Sequence, residues 1–428
     1  MSDKRIGEAF ALAAERYGEL GVDAEAAMKA ADAVPLSIHC WQGDDVGGFE
    51  KAGASLEGGG IQVTGNYPGK ARTIGELRAD LEQVFSLVPG AKRVNLHAIY
   101  GEFGGRRVDR DAIEASHFKA WIDWAKAKGV RLDFNGTFFS HPLAAEGYTL
   151  AHRDPKVRAF WIEHAKRCRR IGAEMGAAQG GACTVNLWVP DGAKDSPVDR
   201  AGYRQRLIES LDASFEEKFP ASRLEDSVEG KLFGIGSESF VVGSHELYLG
   251  YAATRRIFVT LDMGHYHPTE SVADKLSSVL PFVPGVLLHV SRGVRWDSDH
   301  VVALTDDLGD LCRELVRSGE LARPDGRGRV RVGLDYFDGS INRVGAWSIG
   351  ARSTRKALLA AFLEPRAALL GADASGDGFA RLALLEEEKA LPWAAVWDEY
   401  CRRSGAAIDS GFISSVHDYE RDTLAKRI

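Results

Sequence analysis

Short apolar runs that end in polar residues recur along the chain, each followed by a segment with helical periodicity. Eight stand out: PLSIHCW near 39, RVNLHAI near 97, RLDFN near 135, CTVNLWV near 188, SVEGKLFG near 231, IFVTLDMG near 262, VLLHVSR near 289 and RVRVGLDYF near 335. Every gap between them exceeds the roughly dozen residues of a parallel crossover, and hairpins would need far less. The intervening segments carry their own start and stop chemistry. Thr73 and Glu76 have capping-box spacing ahead of Leu77, Leu81, Phe85 and Val88, which share a helical stripe. Asp154 and Pro155 read as an N-cap with proline at the first helical position. Ser116 to Gly129 opens on a cap residue and closes on a C′ glycine. Eight strands alternating with helices predict an α/β fold, a (β/α)8 TIM barrel, over 1–344 with an N-terminal helix in front. Beyond Phe337 the pattern is helical, so 345–428 reads as a C-terminal helical extension, packed on its own barrel or in subunit contacts.

Alternate side chains in each run divide into two sets. Leu36, Ile38 and Cys40 oppose Ser37, His39 and Trp41; Leu132 and Phe134 oppose Asp133 and Asn135; Val185 and Leu187 oppose Thr184, Asn186 and Trp188. The apolar set must meet the helices, which turns the polar set into the barrel. Branched apolar residues normally fill that space, and buried charge there is costly unless it is paired or holds a metal. Glu229, Asp262, His289 and Asp335 fall near the C-terminal ends of strands five to eight, where barrel active sites are built. A second group lies beside them: His265 in LDMGHYH, with Asp297 and Asp299 in WDSDH.

So many carboxylates in one place would repel one another without a cation. Oxygen-rich ligation with one imidazole per site suits Mn²⁺ or Mg²⁺ better than a soft thiol site, while Zn²⁺ or Co²⁺ competes by affinity; manganese is the preferred reading. Any one of His39, His97, His265 or His289 alone reads better as a satisfied core histidine than as a ligand, and the argument for ligands rests on the joint pattern. Lys231 shares the face of Glu229 and could pair with a carboxylate or donate to a substrate oxygen. Trp41 and Trp188 lie on the polar face, where a ring can stack on a sugar's C–H surface. With His97, Asn135 and Lys231 they form the expected substrate-binding set.

The chain has 428 residues and a formal charge of −7, which argues against general affinity for nucleic acid or anionic lipid. Its five scattered cysteines, Cys40, Cys168, Cys183, Cys312 and Cys401, lack CxxC spacing and read as reduced thiols. The charged N-terminus is no signal peptide, and no apolar run approaches the ~18 residues of a membrane span, so a cytoplasmic location is expected.

The chain resembles the bacterial L-rhamnose isomerases of the enteric and Bacillus branch over nearly its full length. The likeness rests on HCWQGDD at 39–45, GNYPGKAR at 65–72, NLHAIY at 95–100, VPDG at 189–192, KLFGIG at 231–236, LDMGHYHPTE at 261–270, LLHVSR and VRWDSDHVV within 287–302, and GLDYFD at 333–338. By position, the resemblance implies a structural metal held by Glu229, Asp262, His289 and Asp335, and a catalytic metal held by His265, Asp297 and Asp299. It further implies a manganese-dependent cytoplasmic homotetramer that interconverts L-rhamnose and L-rhamnulose in rhamnose catabolism, with a mobile loop at about 43–70. Relatives carry serine at the position of Gly230. The expected chemistry is a metal-mediated 1,2-hydride shift with Lys231, Asp335 and His97 as catalytic residues; proton transfer through a cis-enediol is the competing route. A metal-dependent phosphodiesterase on the same barrel and a non-catalytic sugar-binding protein are the rival classes.

Overall fold

The computed structural model describes residues 2–50, 63–232, 239–321 and 328–427. Ten strands occur among them: β1 Leu36–His39, β2 Lys92–His97, β3 Arg131–Asn135, β4 Cys183–Trp188, β5 Gly192–Ala193, β6 Leu224–Glu229, β7 Phe240–Val241, β8 Phe258–Asp262, β9 Val286–Val290 and β10 Val330–Leu334. Eight close a parallel barrel in the order β1, β2, β3, β4, β6, β8, β9, β10, while β5 and β7 pair antiparallel as a small ribbon. The eight barrel strands coincide with the eight sequence runs.

Local chemistry sets the crossover helices. Thr73 Oγ1 accepts from the Glu76 amide and starts helix Ile74–Leu87, but the Glu76 carboxylate takes the Arg72 amide, so only half of the capping box forms. Asp154 caps Pro155–Gln179 by accepting from the Lys156 amide. Ser116 is not a cap: it lies inside a 3-10 turn, Ala115–Phe118, which Glu114 and His117 cap reciprocally before helix Lys119–Lys128 ends on left-handed Gly129. Within Pro155–Gln179 a Cβ at position 176 would lie 1.8 Å from the Arg223 carbonyl oxygen, so helix and strand approach there only because the residue is glycine.

The boundary expected at 344 falls inside helix Arg343–Phe362, which packs beside helices Asp306–Ser318 and Ile74–Leu87 and fills the eighth crossover position. Its outer side joins a second core with Phe10, Tyr17, Met28, Val396, Trp397 and Tyr400, so the N-terminal and C-terminal helices pack together. The buried guanidinium of Arg355 donates to the carbonyls of Ala31, Val34 and Ala91, tying that layer to the lower rim of the barrel. Arg427 reaches Asp80 at 2.6 and 2.7 Å and the Gly69 carbonyl at 3.1 Å, which fastens the chain's end over the stretch leading out of the 43–70 loop. Positions 51–62 of that loop, residues 233–236 of KLFGIG and the basic stretch at 323–327 lie outside the described residues.

Inside, the polar set does face the barrel axis, in layers. At the floor, Arg93 pairs with Asp133 at 2.6 and 2.7 Å, Ser37 donates to the same carboxylate at 2.7 Å, and Arg331 forks onto Glu225. Above them Asn135 donates to Asn95 and Thr260 donates to Asn186. The ring above these amides carries Glu229, Asp262, His289 and Asp335. Replacing Asp133 with Ala strands a buried guanidinium, so Asp133→Ala is expected to lower the free energy of unfolding by about 3–5 kcal/mol. Urea denaturation followed by circular dichroism checks this; an unchanged midpoint would show that the floor pair does not hold the barrel.

Candidate metal centre

Strands β6, β8 and β9 deliver Glu229, Asp262 and His289 at their carboxyl ends, and Asp335 follows β10 by one residue. Parallel pairing puts Asp262 opposite His289 and Glu229 opposite Thr260, so side chains far apart in sequence become neighbours. His289 Nδ1 faces three carboxylates, 3.4 Å from Glu229, 3.6 Å from Asp262 and 3.3 Å from Asp335. Potential ligand atoms of these four residues all lie within 4.8 Å of one another. A second such group unites Asp262, His265 and Asp297. Asp262 therefore belongs to both groups, a sharing that the sequence pattern does not reveal. Asp299, expected beside His265 and Asp297, lines the pocket but is not within that ligand group.

The loops hold these groups in aim. The Asp262 Oδ1 atom accepts from the Gly264 amide at 2.6 Å and the Ser291 hydroxyl at 2.7 Å, leaving Oδ2 toward His289. A Cβ at Gly264 would sit 2.4 Å from Asp297 Oδ1, so only glycine fits between the two carboxylates. His265 Nδ1 lies 3.3 Å from the Gly230 carbonyl, which turns Nε2 toward Asp297. His245 Nε2 in turn contacts the His265 carbonyl at 2.9 Å. A Cβ at Gly230 would meet His245 Nδ1 at 3.0 Å.

Two ionised carboxylates ~4 Å apart repel by roughly 4 kcal/mol at an effective dielectric of ~20. A few such pairs would consume the 5–15 kcal/mol of stability usual for a folded domain. Without a cation the cluster must therefore take up protons. Burial, first of all, lifts the Asp262 carboxyl to about 7. Burial, then Asp297 and Asp335, push Asp299 well above the carboxylate range. Burial opposes the His265 imidazolium, yet Asp262 and Asp297 outweigh it and raise that histidine to about 10. His289 likewise rises well above its ordinary value against burial, mainly through Glu229. Burial would raise Glu229, but His289 and His265 hold it well below the usual range. Among the described residues Glu229 Oε1, Asp297 Oδ1 and both His289 nitrogens are buried without an aligned hydrogen bond. Carboxylate oxygens left without aligned bonds, beside a His289 Nδ1 that faces three carboxylates, fit a divalent cation that prefers oxygen with one or two nitrogens.

The remaining expected residues line the same pocket: Trp41, His97, Asn135, Trp188 and Lys231, joined by Val46, Phe139, Asn186 and Phe337. The Trp41 indole N–H donates to Asp335 Oδ1 at 3.1 Å, a contact no local pattern suggests. Lys231 lies beyond the end of β6, not within it; its Nζ is 2.6 Å from Asp297 Oδ2 and 5.2 Å from the Trp188 ring centre. His97 Nδ1 contacts the Thr137 hydroxyl at 3.0 Å, and burial pushes its ring down to about 4, so it is neutral at pH 7. His39 is fully buried among Trp41, Tyr336 and Trp347 and is not among the pocket-lining residues.

A family model described as L-rhamnose isomerase (RhaA) matches residues 4–427. The L-rhamnose isomerase of Rhodopirellula baltica is 55% identical over 422 residues, covering 99% of this chain and 97% of that protein. Those of Citrobacter koseri and Salmonella paratyphi B are each 53% identical over 423 residues, covering 99% of this chain and 99% of each relative.

The proton load of the cluster gives a test with a definite sign. Asp262 at about 7 and His265 at about 10 hold protons that a bound cation must displace. Mn²⁺ binding to the chelator-treated protein is therefore expected to release protons and to tighten as pH rises from about 6 to 8. Calorimetry in buffers of different ionisation enthalpy reads both; pH-independent affinity without proton release would contradict this picture.

Proposed function

The chain belongs to the L-rhamnose isomerase family, and from that premise we propose how its pocket is loaded and how it works. The reaction is the interconversion of L-rhamnose and L-rhamnulose, an aldose–ketose isomerisation and thus an intramolecular oxidoreduction. The observation that carries the proposal is the pair of ligand groups gathered at one pocket lined by indole, phenyl and amide side chains. One divalent cation would be held by Glu229, Asp262, His289 and Asp335, and a second by His265, Asp297 and Asp299, with Asp262 within reach of both groups. Manganese is the metal proposed, since hard oxygen donors outnumber the imidazoles and no thiolate is present in either group.

When bound, the cations supply Lewis acidity to two sugar oxygens and lower the cost of negative charge there. The side chains do the rest. Trp41 and Trp188 offer ring faces to the sugar's C–H surface, and Asn135 offers an amide. His97, neutral and held at Nδ1 by Thr137, turns its other ring nitrogen toward a hydroxyl. The Lys231 ammonium stays charged: burial disfavours it, but Asp297 outweighs burial and raises it above its ordinary value, so it donates to a sugar oxygen. Asp335, oriented by the Trp41 indole, accepts and returns the proton that moves from O2 to O1. As that proton moves, a hydride passes with its electron pair from C2 to C1, so C2 is oxidised and C1 reduced. Phe139, Trp188 and Phe337 line the space and limit water.

A cytoplasmic homotetramer completes the proposal. Support for subunit contacts beyond 345 comes from Leu370, Phe379 and Leu382, which stand 56%, 83% and 61% exposed on helices Arg366–Ser375 and Gly378–Glu387. Among the described residues no helix is long and apolar enough to cross a membrane.

Two measurements test the mechanism. Isomerisation in D₂O is expected to leave C1 essentially free of deuterium by NMR; substantial incorporation would instead establish the enediol route. His265→Ala and Asp297→Ala are expected to cut turnover by more than the 10–100-fold typical of groups surrounding a metal's ligands. Their circular dichroism should remain parental, and retained turnover at saturating Mn²⁺ would reject the assignment of these ligands.

A further inference from the structure

Three hydroxyl and amide side chains below the ligand ring form a chain of hydrogen bonds that ends on one of its carboxylates. Asn186, Ser227 and Thr260 come from adjacent strands β4, β6 and β8, and all three are buried. Register places Asn186 beside Ser227 and Glu229 beside Thr260. The Asn186 amide nitrogen donates to Glu229 Oε2 at 2.5 Å, and the Thr260 hydroxyl donates to Asn186 Oδ1 at 2.8 Å. Ser227 Oγ lies 2.7 Å from Thr260 Oγ1. Each hydroxyl has a single proton. With the Thr260 proton committed to Asn186, Ser227 must donate to Thr260, and the hydrogen bonds run in one direction from Ser227 to Glu229. Turning the amide over would set its oxygen against the carboxylate, so the carboxylate itself fixes the order.

We infer that Ser227, Thr260 and Asn186 are positioning residues that fix the plane of the Glu229 carboxylate, holding Oε2 from below so that the group is aimed at the ligand cluster, with Oε2 3.4 Å from His289 Nδ1 and Oε1 3.0 Å from His265 Nδ1. The inference rests on Glu229 being a cation ligand, as proposed above. Its physical basis is that a carboxylate on a flexible side chain loses rotamer freedom when it binds, and a prepositioned one has already lost it. Two features argue against a merely structural polar patch. The chain of donors ends on a single oxygen, and the other oxygen of the same carboxylate, which lacks an aligned hydrogen bond among the described residues, faces the His265 imidazole of the second ligand group at 3.0 Å. Three inward positions on neighbouring strands could equally have been apolar, as barrel interiors usually are.

The test uses the full-length protein stripped with chelator and titrated with Mn²⁺, free ion being read by its EPR signal. The parent is expected to take two ions per chain. Thr260→Val, which keeps the shape and removes the hydroxyl, should weaken one of the two sites about 10–100-fold, the range for groups that orient metal ligands. Thr260→Ser restores the hydroxyl and should bind within about threefold of the parent, well inside that range. At saturating Mn²⁺ the Thr260→Val enzyme should regain most of its kcat, with the KM for L-rhamnose little changed. Should the valine variant not fold, Ser227→Ala removes the most distant donor and is expected to give a smaller loss at the same site. Parental Mn²⁺ affinity in Thr260→Val overturns the inference, and so does a serine variant as weak as the valine one. Glu229→Gln separates this failure from that of the underlying reading: it should reduce tight binding to one ion per chain, and two tight ions there would refute Glu229 as a ligand.

Discussion

Repulsion among carboxylates in a confined, poorly solvated space is the constraint from which the rest of the structure follows. Glu229, Asp262, Asp297, Asp299 and Asp335 all line or border one pocket, faced by His265, His289 and Lys231. Five negative groups against one permanently charged ammonium cannot all be ionised without compensation. The pattern of shifts expresses that conflict: two carboxyls are driven toward the protonated state, two are held ionised, and the imidazoles are driven toward the charged state. Divalent cations would resolve it by replacing scattered protons with concentrated positive charge, the kind of charge an aldose–ketose conversion needs beside its oxygens.

A barrel that carries such a cluster cannot fill its interior in the usual apolar way, because buried carboxylates left without donors are costly. The interior is accordingly polar from floor to mouth. Arg93 with Asp133 and Arg331 with Glu225 neutralise each other at the floor, and the amides and hydroxyls above them are matched donor to acceptor. Hydrophobic stabilisation moves outward, to the contact between strands and helices, where Leu36, Val94, Leu132, Val185, Val228, Leu288 and Leu334 are all buried. Stability and chemistry are thus separated by the two faces of each strand.

That separation is why so much was legible in the sequence. The two-residue period marks which side chains enter the barrel, and the eightfold recurrence marks the barrel itself, so the four residues that gather at the ends of β6, β8, β9 and β10 could be picked without coordinates. What the sequence left hidden depends on distance across the barrel. Asp262 serves both groups because Gly264 allows the Asp297 loop to close upon it, and Trp41 orients Asp335 across 294 positions of chain. The pairing of N-terminal with C-terminal helices was equally invisible, since each amphipathic face shows only that it needs a partner. The boundary at 344 misjudged helix Arg343–Phe362 because its inner face closes the barrel while its outer face serves the second core.

The pocket's remaining surface explains why a metal cluster of this kind suits a neutral polyol better than a phosphate ester. A phosphoryl substrate brings two negative charges to a site already crowded with them, and it would need several cationic side chains at the mouth. Among the described lining residues Lys231 is the one lysine or arginine, and it is already paired with Asp297. Outside the cluster the wall is indole, phenyl, amide, neutral imidazole and the aliphatic Val46, groups that match the alternating C–H and O–H surface of a sugar. Selectivity for an uncharged substrate therefore comes from the same excess of carboxylates that calls the cations in, and changing that preference would require altering the cluster itself.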